Sequence, residues 1–249
     1  QKINRLFLPF VALQALAEAA TNIEVFPYSL TEIMTAGEQL KITPVLRTFF
    51  TLLNQCVLYN QYGPTECHVV TELKLDGNPA SWPSIPTIGK PISNTSIFIL
   101  NDMMKVVADG DLGELYIAGK CLATGYLNNE KLNNEKFIEW KSPDGEKIRL
   151  YSSGDIAKYL PDGNIEFLGR QDDQVKISGH RIELAEVELA LNSIAGIHQA
   201  VVRASDYLGQ NKLVAYLKSK GEQIDVSKIR EEIVHLLPDY MIPSYFVLI

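Results

Sequence analysis

Residues 149–188, RLYSSGDIAKYLPDGNIEFLGRQDDQVKISGHRIELAEVE, constrain this chain more than any other stretch. Tyr159-Leu160 and Ile165-Glu166-Phe167-Leu168 flank Pro161-Asp162-Gly163-Asn164, a tetrapeptide of turn formers. The reading is a strand-turn-strand unit. Asp155 is placed in a Ser-Gly-Asp turn ahead of it, and Gly169-Arg170 opens a dense run of charge that reaches Arg181. Such turns aim polar side chains outward from a rigid sheet, although the turn residues alone equally suit an ordinary surface hairpin.

Composition narrows the function. The 249 residues suffice for one large domain or two modest ones, and 46% hydrophobic with 21% charged residues is the balance of a soluble globular chain. A net charge of −7 with no basic patch argues against nucleic acid as a partner, while leaving room for a small anionic ligand held by a few local cations. Cys56, Cys67 and Cys121 are odd in number and widely spaced, and the four histidines lack ligand spacing. Neither a disulfide framework nor a zinc site is expected, the thiols read as packing residues, and the compartment is the reducing cytoplasm.

The opening residues superficially imitate a secretory signal, but Pro9, Gln14 and Glu18 interrupt it. Leu13, Leu16, Ala17 and Ala20 recur at helical spacing, which predicts a buried amphipathic helix after a short strand over 6–8. The longest apolar run is too short to span a membrane. Short apolar runs and helices then alternate: a buried strand over 33–36 ending at Gly37-Glu38-Gln39, a helix over 44–53 with proline in its first turn, and a strand over 56–59. That last strand runs into Asn60-Gln61-Tyr62-Gly63-Pro64-Thr65-Glu66.

In the strand-loop-helix order of open α/β sheets, ligands bind at the carboxyl ends of strands. The 60–66 loop offers an amide, an aromatic face, exposed backbone, a hydroxyl and a carboxylate. Those parts suit a nucleotide: a ring to pack on the base, donors for phosphate, and a hard oxygen for Mg²⁺. Residues 72–91, with four prolines, read as a loop-rich crossing to a second layer. Alternating runs at 96–100, 105–107 and 113–119 predict an antiparallel sheet or small barrel-like subdomain. Residues 128–149 read as a solvated face pinned by Phe137 and Trp140. Beyond Gln174 a compact α+β unit of about eighty residues is expected. Its strands are at 175–177, 181–183, 197–203 and 212–218, and its helices at 184–194 and 226–237.

Several strings together carry a resemblance. Asn-x-Tyr-Gly-Pro-Thr-Glu at 60–66, GELYIAG with Ala123-x-Gly-Tyr126, Tyr-x-x-Gly-Asp ending at Asp155, GRQDDQVKISGHRIE at 169–183 and LPDYMIP at 237–243 resemble the adenylation domains of nonribosomal peptide synthetases. These are adenylate-forming, AMP-binding enzymes. The departures are Cys121 for glycine, Thr124 and Ser178 for arginine, and Phe167 for tyrosine.

The resemblance implies the adenylate-forming enzyme fold in truncated form: an α/β layer plus an antiparallel β subdomain (1–170, the later part of a large subdomain), then a small mobile α+β subdomain (171–249, lacking its end). It implies ATP-dependent activation of an amino acid as aminoacyl-AMP and transfer to the phosphopantetheine thiol of a carrier protein, beside carrier and condensation domains. It assigns nucleotide contacts to Gly37, Glu38, Gln39, Asn60, Gln61, Tyr62, Gly63, Thr65 and Phe167. Asp155 takes the ribose diol, Arg170 the phosphate or ribose oxygens, and Glu66 the Mg²⁺, with Thr65, Glu66, Asp155 and Arg170 as the catalytic set. Met34, Ala36, Gln61, Val69 and Val70 fall on the substrate pocket, whose uncharged wall favours a neutral side chain. Asp172 falls on the hinge.

No lysine-bearing phosphate loop precedes Gly37 here, and no Pro-x-Gly-Lys segment is present. Residues 1–249 alone are therefore expected to be inert, since losing one positioned oxyanion donor costs roughly 3–4 kcal/mol. Two alternatives stay open: an acyl- or aryl-CoA ligase of the same superfamily, and a non-catalytic remnant.

Overall fold

The computed structural model describes residues 3–207, 210–219, 221 and 225–249. The chain divides between Gln171 and Asp172 into two compact units.

In the first unit, β1 (Arg5–Leu8) leads through Pro9 into α1 (Phe10–Ile23), returns as β2 (Glu32–Thr35), passes through α2 (Pro44–Leu52) and returns again as β3 (Val57–Tyr62). The three strands are parallel, as two successive strand-helix-strand crossovers require. Helix α1 buries Leu13, Ala17 and Ala20, its expected stripe, while Leu16 stays half-exposed. Thr43 starts α2: its hydroxyl accepts from the Leu46 N–H at 3.2 Å and donates to Gln14 of α1 at 2.8 Å. Pro44 fills the first helical position, where no N–H is needed. Leu13, Leu46, Phe49 and Leu58 form the centre of the core beneath this face of the sheet.

The expected strand-loop-helix order stops at β3. The strand continues through Asn60, Gln61 and Tyr62, and no helix follows. Instead a turn through Thr65–Cys67 with His68 in the left-handed region reverses the chain, the Val70 N–H closes onto the Tyr62 carbonyl at 2.8 Å, and β4 (Thr71–Leu75) returns antiparallel to β3. The stretch read as pure loop thus begins as a strand. After a 3-10 turn at Pro79–Ser81, β5 (Lys90–Pro91) pairs with β4 and completes the first sheet.

The second sheet is antiparallel. It contains β6 (Thr95–Leu100), β7 (Gly113–Gly119), then α3 (Glu130–Lys136), β8 (Phe137–Lys141), β9 (Lys147–Tyr159) and β10 (Ile165–Arg170), ordered β10-β9-β7-β6 with β8 also on β9. Residues 105–107 make only an isolated bridge, Leu100 to Val106, because the Asn101 side chain caps a tight turn there. The polar stretch 128–149 is a helix plus a hairpin strand: Asn129 caps α3, and Trp140 is buried with its N–H on the Met104 carbonyl at 2.9 Å. The Ser-Gly-Asp segment is no turn but an irregularity inside the 13-residue β9, with Gly154 at φ 73.

The two sheets meet over a shared core of Tyr62, Val70, Ile88, Ile97, Ile117, Tyr151 and Ile165. Ile165 joins them by backbone hydrogen bonds, its N–H donating to the Gly89 carbonyl at 2.8 Å and its carbonyl accepting from the Ile88 N–H at 2.9 Å. A Cβ on Gly89 would lie 2.0 Å from the Glu72 carbonyl oxygen, at φ +79, so the join requires glycine.

In the second unit, β11 (Val175–Ile177) and β12 (His180–Ile182) form a hairpin across Ser178-Gly179, both at positive φ as a two-residue hairpin turn demands. Then come α4 (Leu184–Asn192), β13 (Ile197–Tyr207), β14 (Gln210–Ser219), α5 (Val226–Ile233) and β15 (Tyr245–Leu248). Strands β13 and β14 outrun the expected 197–203 and 212–218, and α5 ends four residues before the expected 237. Strand β15 pairs parallel to β14 after a 3-10 turn at Asp239–Met241. Leu184, Val187, Leu191, Val202, Leu217 and Ile233 pack between helices and sheet.

Candidate functional site

The site is built where the end of β3 meets β9 and β10. Asp155 and Arg170 are direct cross-strand partners, and their separation follows from a bulge: the register slips between Phe167 and Gly169. Residues three apart on a regular strand point to opposite faces; the unpaired Leu168 lets Phe167 and Arg170 share the face that carries Asp155 and Ala157.

Asp155 is only 2% exposed, and both of its oxygens are engaged. Oδ1 accepts from Arg170 Nη1 at 2.6 Å, with the Arg170 side chain 9% exposed, and Oδ2 accepts from the Tyr62 hydroxyl. Arg170 therefore answers Asp155 across the β9–β10 pair. Burial, with the Asp155 charge beside it, pushes the Tyr62 phenol well above its usual range, so it stays a protonated donor. Phe167 lies 6.2 Å from the Tyr62 ring, tilted at 37°.

Glu114, which the sequence reading passed over as part of a strand, holds this arrangement in place. Its Oε1 accepts from Ser152 Oγ at 2.6 Å and from the Gly154 N–H at 3.0 Å, and its Oε2 from the Tyr116 hydroxyl at 2.8 Å. Ser153 donates to the Leu115 carbonyl and accepts from the Asp155 N–H at 3.0 Å. The irregularity in β9 is thus pinned from β7. The only signal in the sequence was a carboxylate opening GELYIAG, some forty residues from the groups it serves.

The turn after β3 carries Thr65, exposed, and Glu66, half-buried. Gly63 has no alternative, since a Cβ there would sit 1.6 Å from the His68 carbonyl oxygen. Glu66 Oε1 accepts from the Tyr126 hydroxyl at 2.6 Å, and its carbonyl accepts from the Ala123 N–H at 2.8 Å. Tyr126 was quoted in a motif without a role; the structure makes it the neighbour of the expected metal ligand. Asn60 is buried and donates to the Thr87 carbonyl at 2.8 Å, bracing the sheet junction. Gln61 donates to Glu72 at 2.6 Å across the β3–β4 pair.

At the carboxyl end of β2, Gly37 adopts φ 90 and turns the chain. Thr35 Oγ1 and Glu38 Oε2 are buried there without a hydrogen-bond partner, polar atoms available to a ligand. Gln39 is exposed. Of the expected substrate-pocket residues, Met34, Ala36, Gln61 and Val69 are half-buried, whereas Val70 packs wholly into the core between the sheets.

The AMP-binding enzyme family profile matches residues 3–127. The chain belongs to that family. Among curated relatives of this AMP-binding enzyme, gramicidin S synthase 2 of Brevibacillus brevis is 45% identical over 248 residues, 99% of this chain and 6% of the synthase. Tyrocidine synthase 2 of Brevibacillus parabrevis is 42% identical over 248 residues, 99% of this chain and 7% of the synthase. The chain thus spans a small part of each relative's length. Of solved structures, PA1221, a nonribosomal peptide synthetase protein containing adenylation and PCP domains and bound to a vinylsulfonamide inhibitor, aligns at TM-score 0.84 and 25% identity. That alignment covers 99% of this chain and 41% of PA1221. The Klebsiella oxytoca fusion NpsA-ThdA, an adenylation-PCP di-domain, aligns at TM-score 0.81 and 22% identity over 98% of this chain and 47% of the fusion. The adenylate-forming fold expected from the sequence is the fold observed. Among the described residues, no helix is long and apolar enough to cross a membrane.

Proposed function

We propose that this AMP-binding enzyme chain serves amino-acid adenylation in nonribosomal peptide synthesis. The amino-acid carboxylate attacks the α-phosphorus of ATP, pyrophosphate leaves, and the aminoacyl-AMP then passes its acyl group to the phosphopantetheine thiol of a carrier domain, releasing AMP. The observation that carries this reading is the buried Asp155–Arg170–Tyr62 group beside the Thr65–Glu66 turn. The identity to gramicidin S and tyrocidine synthases supports the peptide-synthetase branch.

Within that reading each residue has a task. A carboxylate has about four lone-pair sites, so Asp155 can keep its bonds to Arg170 and Tyr62 and still accept from both ribose hydroxyls. Phe167 and Tyr62 supply apolar ring surface to the nucleoside, and the unpartnered Thr35 and Glu38 oxygens, with Gly37 and Gln39, lie on its base side. Thr65 offers a hydroxyl to phosphate. Glu66 and Thr65 are a hard-oxygen set, the kind Mg²⁺ takes, so Glu66 would hold that ion, which neutralises phosphate charge when bound. Met34, Ala36, Gln61 and Val69 present no unpaired charge to the amino acid, which supports a neutral side chain.

Asp172, where the two units divide, is the pivot in this proposal, and residues 172–249 are the mobile part. Carrier and condensation domains are its proposed neighbours, and three unpaired cysteines suit the cytoplasm.

ATP–pyrophosphate exchange by the full polypeptide that carries these residues, screened across amino acids and simple carboxylic acids, tests the proposal. Exchange that depends on one neutral amino acid is expected. Exchange with an aryl or fatty acid alone would move the chain to the ligase branch, and silence from a folded protein would reject adenylation.

A further inference from the structure

Glu114 and Asp155 stand on opposite faces of the second sheet. Glu114 is the cross-strand partner of Ile156, and Asp155 precedes Ile156 on β9, so only backbone connects the two carboxylates. That backbone is irregular. The β7–β9 register passes from the Glu114–Ile156 pair to the Tyr116–Ser152 pair, so Ser153, Gly154 and Asp155 together stand opposite Leu115 alone. An insertion of this kind takes N–H groups out of the ladder. Side chains answer them here: the Gly154 N–H donates to Glu114 Oε1 at 3.0 Å and the Asp155 N–H to Ser153 Oγ at 3.0 Å. The Gly154 carbonyl accepts from the Gln171 N–H at 2.9 Å.

We propose that Glu114 is a positioning residue, which holds the Gly154 N–H, fixes the backbone that aims Asp155, and so sets how well the site reads the ribose hydroxyls. This rests on the adenylation reading. The peptide plane between Ser153 and Gly154 is held by Glu114, and the next plane by Ser153 and Gln171. The two are joined through Gly154 at φ 73, a rotation that glycine permits but does not itself enforce. Without Glu114 the first plane is free to turn, and the Asp155 backbone moves with it. The long Arg170 side chain can follow such a shift, whereas a sugar fixed at its base and phosphates cannot. Sugar recognition is therefore the property that Glu114 controls.

Reach, rather than charge, carries the role. A glutamine in its place would accept from Gly154 and Ser152 with its oxygen and donate to the Tyr116 hydroxyl with its nitrogen. An aspartate keeps the charge but draws the acceptor back by one methylene. Glu114 is half-buried and borders a cavity of about 250 Å³, lined also by Leu112, Ile156 and Gln171. When the side chain is shortened, water can enter there and answer the Ser152 and Tyr116 hydroxyls. The fold thus tolerates the change while the irregularity in β9 slackens.

The test compares kcat/KM of the full polypeptide for ATP and for 2′,3′-dideoxy-ATP, in hydroxamate formation with the cognate amino acid. In Glu114→Ala and Glu114→Asp the ATP value should fall about tenfold and the dideoxy value less than about twofold, so the preference for ATP collapses. Glu114→Gln should restore most of that preference. Amide hydrogen exchange over 152–155, read on the same proteins without nucleotide, should be about tenfold faster in the Ala and Asp variants and parent-like in Glu114→Gln.

Equal losses with the two nucleotides in Glu114→Ala, or a preference kept at the parent's value, would overturn the proposal. So would a Glu114→Asp variant that outperforms Glu114→Gln, since charge would then be the operative property. If Glu114→Ala does not fold, the Asp and Gln variants carry the same contrast. A parent without any preference for ATP would instead reject the ribose reading. The hydrogen exchange then decides for Glu114 alone, and rates over 152–155 no faster in Glu114→Asp than in the parent would overturn its role.

Discussion

Asp155 and Glu66 are carboxylates of the same unit, and the fold treats them in opposite ways. Asp155 is 2% exposed and takes donors from two sheets, Tyr62 on one side and Arg170 on the other. Glu66 stands half-buried on a turn, steadied by the Tyr126 hydroxyl and by its own backbone. A buried charge with neutralising partners is part of what joins the sheets, so its removal strips two further buried groups of a partner. A half-buried carboxylate on a turn, bonded to a neutral hydroxyl, carries less of the fold. Stability and chemistry should therefore separate between the two.

The largest effect is expected from Asp155→Ala. Taking the carboxylate from Arg170 and from the Tyr62 hydroxyl should cost about 3–5 kcal/mol, read as a shift in denaturant unfolding of the full polypeptide. Glu66→Gln sharpens the contrast: exchange should fall on the order of a hundred-fold or more, roughly 3 kcal/mol, while the unfolding transition moves by less than about 1 kcal/mol. Equal loss of stability in the two variants would break the comparison. Tyr62→Phe removes one donor to Asp155 and keeps the ring, so a destabilisation of about 1–2 kcal/mol is expected by the same unfolding measurement. Thr65→Ala, on the exposed turn, should stay within about 0.5 kcal/mol in unfolding and raise the apparent KM for ATP.

Much of this arrangement was readable in the residues. Pro161-Asp162-Gly163-Asn164 does make the hairpin between β9 and β10, with Asn164 N–H on the Asp162 carboxylate at 3.0 Å, and 113–119 is a strand over the expected range. Local chemistry decides such features, and local chemistry is what a sequence displays. The end of β3 was misread for the same reason: Asn60 and Gln61 look like loop residues, and only the backbone partners on β2 and β4 and the acceptors at Thr87 and Glu72 make them strand. No helix follows Glu66, because His68 in the left-handed region reverses the chain into β4. Glu114 was invisible as a support because its acceptor role exists only once β9 lies beside β7. The bond between Arg170 and Asp155 was equally hidden, since it needs the bulge at Leu168 that turns Arg170 onto the Asp155 face.

The central claim is that Asp155, held by Tyr62 and Arg170, receives a ribose. The direct measurement is a two-by-two comparison of ATP with 2′,3′-dideoxy-ATP against the parent polypeptide and Asp155→Asn, read as kcat/KM for ATP-dependent hydroxamate formation with the cognate amino acid. Removing the hydroxyls should lower the parent's value about ten- to a hundred-fold, as two lost hydrogen bonds to a charged acceptor would, and should change the variant little. Equal losses in both proteins would show that Asp155 does not touch the sugar and would contradict the account.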